Sequence, residues 1–327
     1  MTARTLIWDA HSNLPLSPGR DIQDVALHCR LGFDFVSLNV GYDPAHIEDI
    51  IAAVAWYRAA FARHPDQFQL VGGVADLMAA RARGVLAVAF DLEGALCLFE
   101  RPEMVRFWAD LGVRQMHLAY NRNNSVAGGC YDPDMRLGAL GRSIVAAMNE
   151  AGVIVDCSHG GRLCTLDIMD ASEKPVVFSH ANAASLVDLP RNVTDEQIRA
   201  CARTGGVIGI TGYSRFLGAI PSRAADMARH IDHVAQLVGI AHVGIGWDYG
   251  YPDHGVPRMR DETDFDWWFP DAAIARAMNL TEAEKVTPLQ EIRALPDALA
   301  RLGYSDADVR AVLGGNFLRV ATETWPA

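Results

Sequence analysis

The 327-residue sequence predicts an α/β fold, a (β/α)8 TIM barrel of the metal-dependent hydrolase type, on three observations. Eight short apolar or β-branched runs recur along the chain, and longer amphipathic segments separate them. No stretch rich in Pro, Gly or Ser divides the sequence. The length falls within the range of one barrel, so a single domain over residues 1–327 is expected.

The first run, residues 6–11, turns polar at its end, where Asp9, His11, Ser12 and Asn13 stand close together. The second run is 35–39, and the segment after it, 43–62, places Ile47, Ile50, Ile51, Val54 and Ala55 at helical spacing. The third run, 86–93, stays apolar until it closes on Asp91, Leu92 and Glu93. One helical stretch, 101–111, leads to the fourth run, 115–118. Residues 140–151, with Ile144, Val145 and Met148 on one face, predict the helix before the fifth run, 153–158, which ends on Asp156, Cys157, Ser158 and then His159. The sixth run, 175–180, ends on Ser179 and His180, the seventh is 207–211, and the eighth, 242–248, closes on Asp248. The stretch 249–270 departs from the pattern: it is polar, turn-rich and aromatic, with Trp267, Trp268 and Phe269, and is expected to form a lid-like insertion over the barrel mouth.

Half the residues are hydrophobic and 21% are charged, the balance of a folded soluble enzyme. A formal net charge of -11 with no basic run excludes a nucleic-acid footprint and favours a small-molecule substrate. No apolar stretch reaches the roughly 18–20 residues of a membrane span, and the first residues do not read as a signal peptide, so a cytoplasmic protein is expected. The six cysteines follow neither a CxxC nor a disulfide-framework spacing and are expected to be reduced and mostly buried. The Gly72-Gly73, Gly128-Gly129, Gly205-Gly206 and Gly314-Gly315 doublets lack a dinucleotide or P-loop context and read as turns and helix ends.

In parallel barrels the chemistry projects from the C-terminal strand ends. His11, Glu93, His159, His180 and Asp248 each stand at that end of a different run, which makes an inventory of metal ligands. A catalytic ion in such a set activates water and polarises a carbonyl, and a nearby carboxylate moves the protons. His28, His46, His64, His230 and His254 fall in helical or loop patterns without a strand-end partner and are assigned structural roles. His242 opens the eighth run at the far end of the barrel, and His117, inside the fourth run, is read as packing more readily than as catalytic.

At these residues the sequence resembles the membrane dipeptidase family, peptidase family M19. His11-Ser12-Asn13-Leu14-Pro15 resembles its HxDLP motif, Leu92-Glu93-Gly94 its bridging-glutamate motif, and Met148-Asn149 to Ser158-His159 its MN…DxSH segment. The segments 175–180 with Pro190-Arg191-Asn192-Val193, 239–248 and 314–317 resemble its PVxFSH…RNV block, last-strand motif and C-terminal helix. The resemblance implies a two-metal site with His11 and Asn13 on one ion, His159 and His180 on the other, and Glu93 bridging. It further implies Zn²⁺ as cofactor, Asp248 as the proton-transfer carboxylate, Arg191 as the anchor of the substrate's terminal carboxylate, and a possible homodimer.

Two departures stand out. Asn13 replaces the family's HxD aspartate, and a neutral amide holds a divalent cation less well, so the first ion should bind weakly or be absent. Tyr120 stands where the family has a histidine that steadies the substrate carbonyl, and Asn121 beside it is assigned to substrate contact. The expected activity is hydrolysis of a peptide or amide bond in a small carboxylate-bearing substrate, a metallo-dipeptidase-like reaction. The alternatives are a mononuclear amidohydrolase acting on a cyclic amide or modified amino acid, and a degenerate binding protein. The pocket walls are expected from loops 120–136, 213–223 and 249–268.

Overall fold

The structure, a computed structural model, describes residues 4–19, 21–251 and 265–326. Its strands in chain order are β1 (Trp8–Asn13), β2 (Phe35–Tyr42), β3 (Phe68–Leu70), β4 (Leu86–Glu93), β5 (Val113–His117), β6 (Ile154–Asp156), β7 (Val176–Ala181), β8 (Val207–Ile210), β9 (Val243–Ile245) and β10 (Tyr249–Gly250). Nine of them pair in parallel in the order β10-β1-β2-β4-β5-β6-β7-β8-β9, and β3 pairs in parallel with β4 off this path. The last two strands are one segment interrupted at residues 246–248. Gly246 N still donates to Ile210 O of β8 (3.2 Å), while Asp248 N donates to His11 O of β1 (2.9 Å). Ser12 and Asn13 then pair with Tyr249 and Gly250, which closes an eight-stranded barrel.

Each of the eight predicted runs holds a barrel strand. Three boundaries differ. The short β3, paired to the lower half of β4, was not among the predicted runs; three residues give too little alternation to stand out in sequence. Tyr249 and Gly250, expected at the start of the lid, instead complete the closing strand. The remainder of the expected lid is a short helix over Phe265–Trp268 followed by Pro270–Ala277, and residues 252–264, with His254 among them, lie outside the described residues.

The helices bury one face each. In Ala139–Ala151 the buried positions are Gly141, Ile144, Val145, Met148 and Ala151, at helical spacing, and Gly152 at φ 69° stops the helix in the left-handed conformation. Helix Asp195–Arg203 starts at a capping box between Thr194 and Gln197 and buries Ile198 and Cys201. Inside the barrel the alternation of strand side chains sorts chemistry by height. On β4 the alternate positions are Ala87, Ala89, Asp91 and Glu93, so the same face runs from apolar to acidic toward the C-terminal end. The lower end is plugged by Trp8, whose ring lies 3.9 Å from Phe35, 5.5 Å from Trp325 and 6.2 Å from Phe317.

Pairing slips by a bulge at two places that matter: between Asp9 and Ser12 on β1, and between Phe178 and Ala181 on β7. Bulges re-aim side chains, and these two contain His11 and His180. The second bulge thrusts the Ser179 carbonyl into the barrel, where a Cβ on Gly209 or Gly246 would stand 1.9 or 1.8 Å from its oxygen. Gly209→Ala is therefore expected to lower stability by more than about 3 kcal/mol, because backbone must move rather than a flexible side chain. Thermal unfolding reads this directly, and an unchanged melting temperature would contradict the close approach.

Candidate metal centre

Glu93 ends β4, His159 follows β6, and His180 sits in the β7 bulge, and all three reach one point inside the barrel mouth. His159 Nε2 lies 2.9 Å from Glu93 Oε1 and 2.9 Å from His180 Nε2, and His180 Nε2 lies 3.5 Å from the same carboxylate oxygen. In a tetrahedral zinc site with bonds of ~2.05 Å, neighbouring ligand atoms stand about 3.3 Å apart. A second set shares His180: its ligand atoms and those of His11 and Asp248 lie within 4.8 Å of one another. His11 Nε2 is 3.4 Å from Glu93 Oε1 and 3.9 Å from Asp248 Oδ1, and neither of its ring nitrogens makes a hydrogen bond of good geometry.

What fixes the rings decides which nitrogen faces inward. His159 Nδ1 meets Asn121 Oδ1 at 2.7 Å, His180 Nδ1 meets Ser179 Oγ at 2.8 Å, and His11 Nδ1 meets Asp91 Oδ1 at 3.2 Å. Each Nε2 is left to point at the centre, and for His159 and His180 this is the arrangement of a metal-bound imidazole with its outer nitrogen anchored. Asp91 is held in turn by Ser37 Oγ at 2.6 Å and Asn39 Nδ2 at 3.2 Å. Asp9 ties the closing strand: it accepts from Ser12 Oγ (2.7 Å) and Trp247 N (2.7 Å) and pairs with His28 Nε2 (2.9 Å).

Three site residues are held in the left-handed backbone region that L side chains rarely adopt: Asn121 at φ 61°, His159 at φ 66° and Asp248 at φ 59°. Each such conformation costs on the order of 1–3 kcal/mol and persists where the surroundings enforce it. The donor set and the local electrostatics agree with a bound cation. Burial pushes the Glu93 carboxyl up to about 7, with His11 and His117 opposing and Asp248 and Asp91 adding to the rise. Burial lowers the His159 and His180 pKa well below the usual value, helped by the charges of Arg191 and His11 respectively, and so keeps both imidazoles in the neutral form that binds metal. For His11 burial acts downward too, but Asp91 and Glu93 outweigh it and hold its pKa well above the ordinary value. Buried carboxylates crowded around His11, beside the two neutral imidazoles of His159 and His180, form a site that a divalent cation relieves.

The other predicted site residues surround this centre. Asp248 is held above the usual carboxylate range by burial, against His11 and Arg191. Asn13 turns its amide nitrogen toward Asp248 Oδ1 at 2.8 Å, so its described bond is to that carboxylate and not to the candidate metal ligands. The contacts described for the buried Arg191 guanidinium are His159 Nε2 (3.2 Å), His180 O (3.5 Å) and the Phe216 ring (5.5 Å), none of them a carboxylate. Tyr120 lays its ring over His159, centroids 4.4 Å apart, and burial followed by the Glu93 charge keeps its hydroxyl protonated. A cavity of about 280 Å³ opens over these groups, and Tyr42, Phe216, Phe265 and Phe269 supply its apolar walls. Asn121 lines that cavity, yet both ends of its amide are engaged, with His159 and with Trp268 O at 2.8 Å.

Two histidines have partners that their sequence patterns did not show. His28 pairs with the buried Asp9 of β1 and also meets Tyr251 Oη at 2.8 Å, in keeping with a structural role. Its place in a helix concealed this, because the pair joins residues nineteen apart in sequence. His117 lies directly under the ligands, its ring 5.4 Å from His180 and 5.8 Å from His159, and its Nε2 is 2.9 Å from Asp156 Oδ2. Burial would raise Asp156, but the His117 charge and hydrogen bonds, with those from Ser179 and Ser158, bring it down to about 2. Burial would lower His117, but Asp156 and Glu93 in turn raise it above its ordinary value, and the pair lies beneath the centre. The strand parity of Gln115 and His117 on β5 was the available signal for it. His230 and His242 keep structural roles: Ala183 N donates to His230 Nδ1 at 3.1 Å, and His242 Nδ1 meets Gly206 O at 2.9 Å.

Residues 25–270 match the family described as membrane dipeptidase (peptidase family M19). Among curated proteins, an uncharacterized dipeptidase of Schizosaccharomyces pombe is 29% identical over 230 residues, 67% of this chain and 55% of that protein. The dipeptidase aclJ of Aspergillus oryzae is 29% identical over 243 residues, 72% of this chain and 51% of its own. The chain thus spans little more than half the length of these curated relatives. An amidohydrolase from Pseudomonas aeruginosa superposes with a TM-score of 0.83 at 26% identity, covering 98% of this chain and 97% of that one. A Rhodobacter sphaeroides metallo peptidase, solved with a phosphinate mimic of the dipeptide L-Ala-D-Ala, shares the fold at a TM-score of 0.79 and 17% identity, covering 98% of this chain and 100% of its own.

Proposed function

Because this chain belongs to the membrane dipeptidase family, peptidase family M19, we propose that it hydrolyses the amide bond of a dipeptide-like substrate carrying a free carboxylate, with Zn²⁺ as cofactor. The observation that carries the reading is the convergence of Glu93 Oε1, His159 Nε2 and His180 Nε2 within 2.9–3.5 Å of one another, next to a buried arginine. Two histidines and a glutamate are a known donor set for catalytic zinc. An ion held there supplies a water of lowered pKa and polarises the scissile carbonyl. His11 would hold a second, neighbouring ion, and Asp248 lies 3.9 Å from the His11 Nε2.

Asp248, beside His11 at the cavity floor, accepts the proton released by the attacking water and delivers it to the leaving amine nitrogen. Tyr120, held protonated, donates a hydrogen bond to the carbonyl oxygen. Arg191 takes the substrate carboxylate through paired hydrogen bonds, which explains a buried guanidinium with a histidine and a carbonyl as its nearest polar contacts. Tyr42, Tyr120 and Phe269, with centroids 5.5–5.7 Å apart, wall the acyl side and favour a large apolar group there.

One observation favours a one-ion variant of this mechanism. Asn13 stands where the family has a charged ligand, and its amide nitrogen bonds Asp248, so it offers no anionic oxygen to an ion beside His11. One ion on Glu93, His159 and His180, acting on a dipeptide or a cyclic amide, follows from that arrangement.

The test is metal-stripped protein titrated with Zn²⁺ against L,L- and L,D-dipeptides, their C-terminal amides and a cyclic amide. Cleavage with one ion per chain supports the one-ion variant, two ions support the paired site, and no uptake and no cleavage contradict the reading. Arg191→Ala is expected to raise KM for carboxylate substrates about 100-fold and to leave the C-terminal amides nearly unaffected. Equal losses on both substrate types would contradict the assignment of Arg191.

A further inference from the structure

Asn121 joins two parts of the molecule that the sequence keeps far apart. Its Nδ2 donates to the main-chain carbonyl of Trp268 at 2.8 Å, and its Oδ1 meets His159 Nδ1 at 2.7 Å. A carbonyl can only accept, so the Trp268 contact fixes which end of the amide faces the histidine. The end that faces it is the oxygen, so His159 must carry its proton on Nδ1 and leave the Nε2 lone pair toward Glu93. Asn121 is buried, which removes water as a substitute for either partner.

The next residue fastens the same segment. Arg122 Nε donates to Trp267 O at 2.7 Å, and its guanidinium lies 4.6 Å from the centre of the Trp267 ring. On its other side Arg122 holds Asp132 Oδ1 at 3.0 Å and Tyr131 O at 3.1 Å. The loop that carries both residues also clasps the ligand's backbone, with Cys130 N donating to His159 O at 2.9 Å. The helix Phe265–Trp268 that receives these bonds brings Phe265 and Phe269 to the cavity wall.

We propose that Asn121 is a positioning residue that couples docking of the 265–269 segment over the cavity to the metal-binding orientation of His159, so that metal binding and lid docking strengthen one another. The inference rests on His159 being a ligand, as read above. Linkage makes it reciprocal: whatever loosens the docked segment must weaken metal binding by the same factor with which the metal favours docking. Arg122 offers a handle that touches no ligand.

The experiment is a double-mutant cycle on Zn²⁺ affinity, measured by competition with a chromophoric chelator, with the fluorescence of Trp267 and Trp268 followed in the same titration. Arg122→Ala is expected to weaken Zn²⁺ about tenfold, and Asn121→Ala by ten- to a hundredfold, the range for outer-sphere partners of a ligand. In the Asn121→Ala background Arg122→Ala should have no further effect. Asn121→Asp gives the same check should the alanine variant fail to fold, since it keeps an acceptor for His159 but cannot donate to Trp268. Zn²⁺ should also change the tryptophan emission of the wild-type protein and not of the Asn121 variants. Multiplicative losses in the double variant, or wild-type Zn²⁺ affinity in Arg122→Ala, overturn the coupling while leaving the metal centre standing. No Zn²⁺ uptake by the wild type, or unchanged uptake by His159→Ala, overturns both.

Discussion

Glu93→Gln is expected to abolish Zn²⁺ retention and to lower kcat/KM by at least about 1,000-fold, since the change removes the one anionic oxygen on which His11, His159 and His180 converge. The same substitution should stabilise the metal-free protein at pH 8. Burial lifts the Glu93 carboxyl from 4.5 to about 7, so the folded chain prefers it protonated. For an acid raised in this way the folded state binds more protons than the unfolded one between those two values. Stability is therefore full below about pH 4.5 and is lost as the pH rises through about 7. The loss is on the order of 3 kcal/mol in the metal-free state, and glutamine, which never ionises, escapes it. Melting curves of the stripped proteins at pH 5 and pH 8 measure both signs. A stripped wild type no less stable at pH 8 than at pH 5 would contradict the crowding of negative charge at this centre.

Asp248→Asn should do the opposite of a ligand mutation: the Glu93, His159 and His180 ion stays while turnover falls. A loss of about 10²–10⁴ in kcat is expected for removal of a proton-transfer group, with KM changed little. Asparagine is the suitable probe because Asp248 sits at φ 59°, a conformation that asparagine tolerates and most residues do not. In the wild type the carboxylate must be ionised to accept a proton, and burial holds its pKa above the usual range. Activity should therefore rise with pH through that pKa, and the variant should lose that limb of the profile. Steady-state kinetics with metal content measured on the same sample decide it, and wild-type turnover in the variant would remove Asp248 from the proton path.

Much of this was readable along the chain, for a physical reason. Alternation with period two places every second residue of a barrel strand inside, so a run that begins with Ala87 and Ala89 and ends with Asp91 and Glu93 announces both its orientation and its site. The same logic finds His117 above Gln115, although a histidine inside an apolar run reads as packing until its partner Asp156 is seen on the next strand. What sequence could not give are contacts made by backbone geometry. The bulge that aims His180 needs Gly209 of β8 and Gly246 of the break after β9. His28 reaches Asp9 from a helix. Asn121, adjacent to a recognisable position, was assigned to substrate on neighbourhood alone. Its second partner is a main-chain carbonyl, which carries no signature in the identity of Trp268. Among the described residues no helix is long and apolar enough to cross a membrane.

The central claim is tested most directly by diffraction from crystals of the Zn²⁺-loaded protein, with anomalous data collected on both sides of the zinc absorption edge. The account predicts an anomalous peak at bonding distance, about 2.0–2.2 Å, from His159 Nε2, His180 Nε2 and a Glu93 oxygen. A peak at the His117–Asp156 pair alone, or no zinc peak inside the barrel mouth, would contradict it.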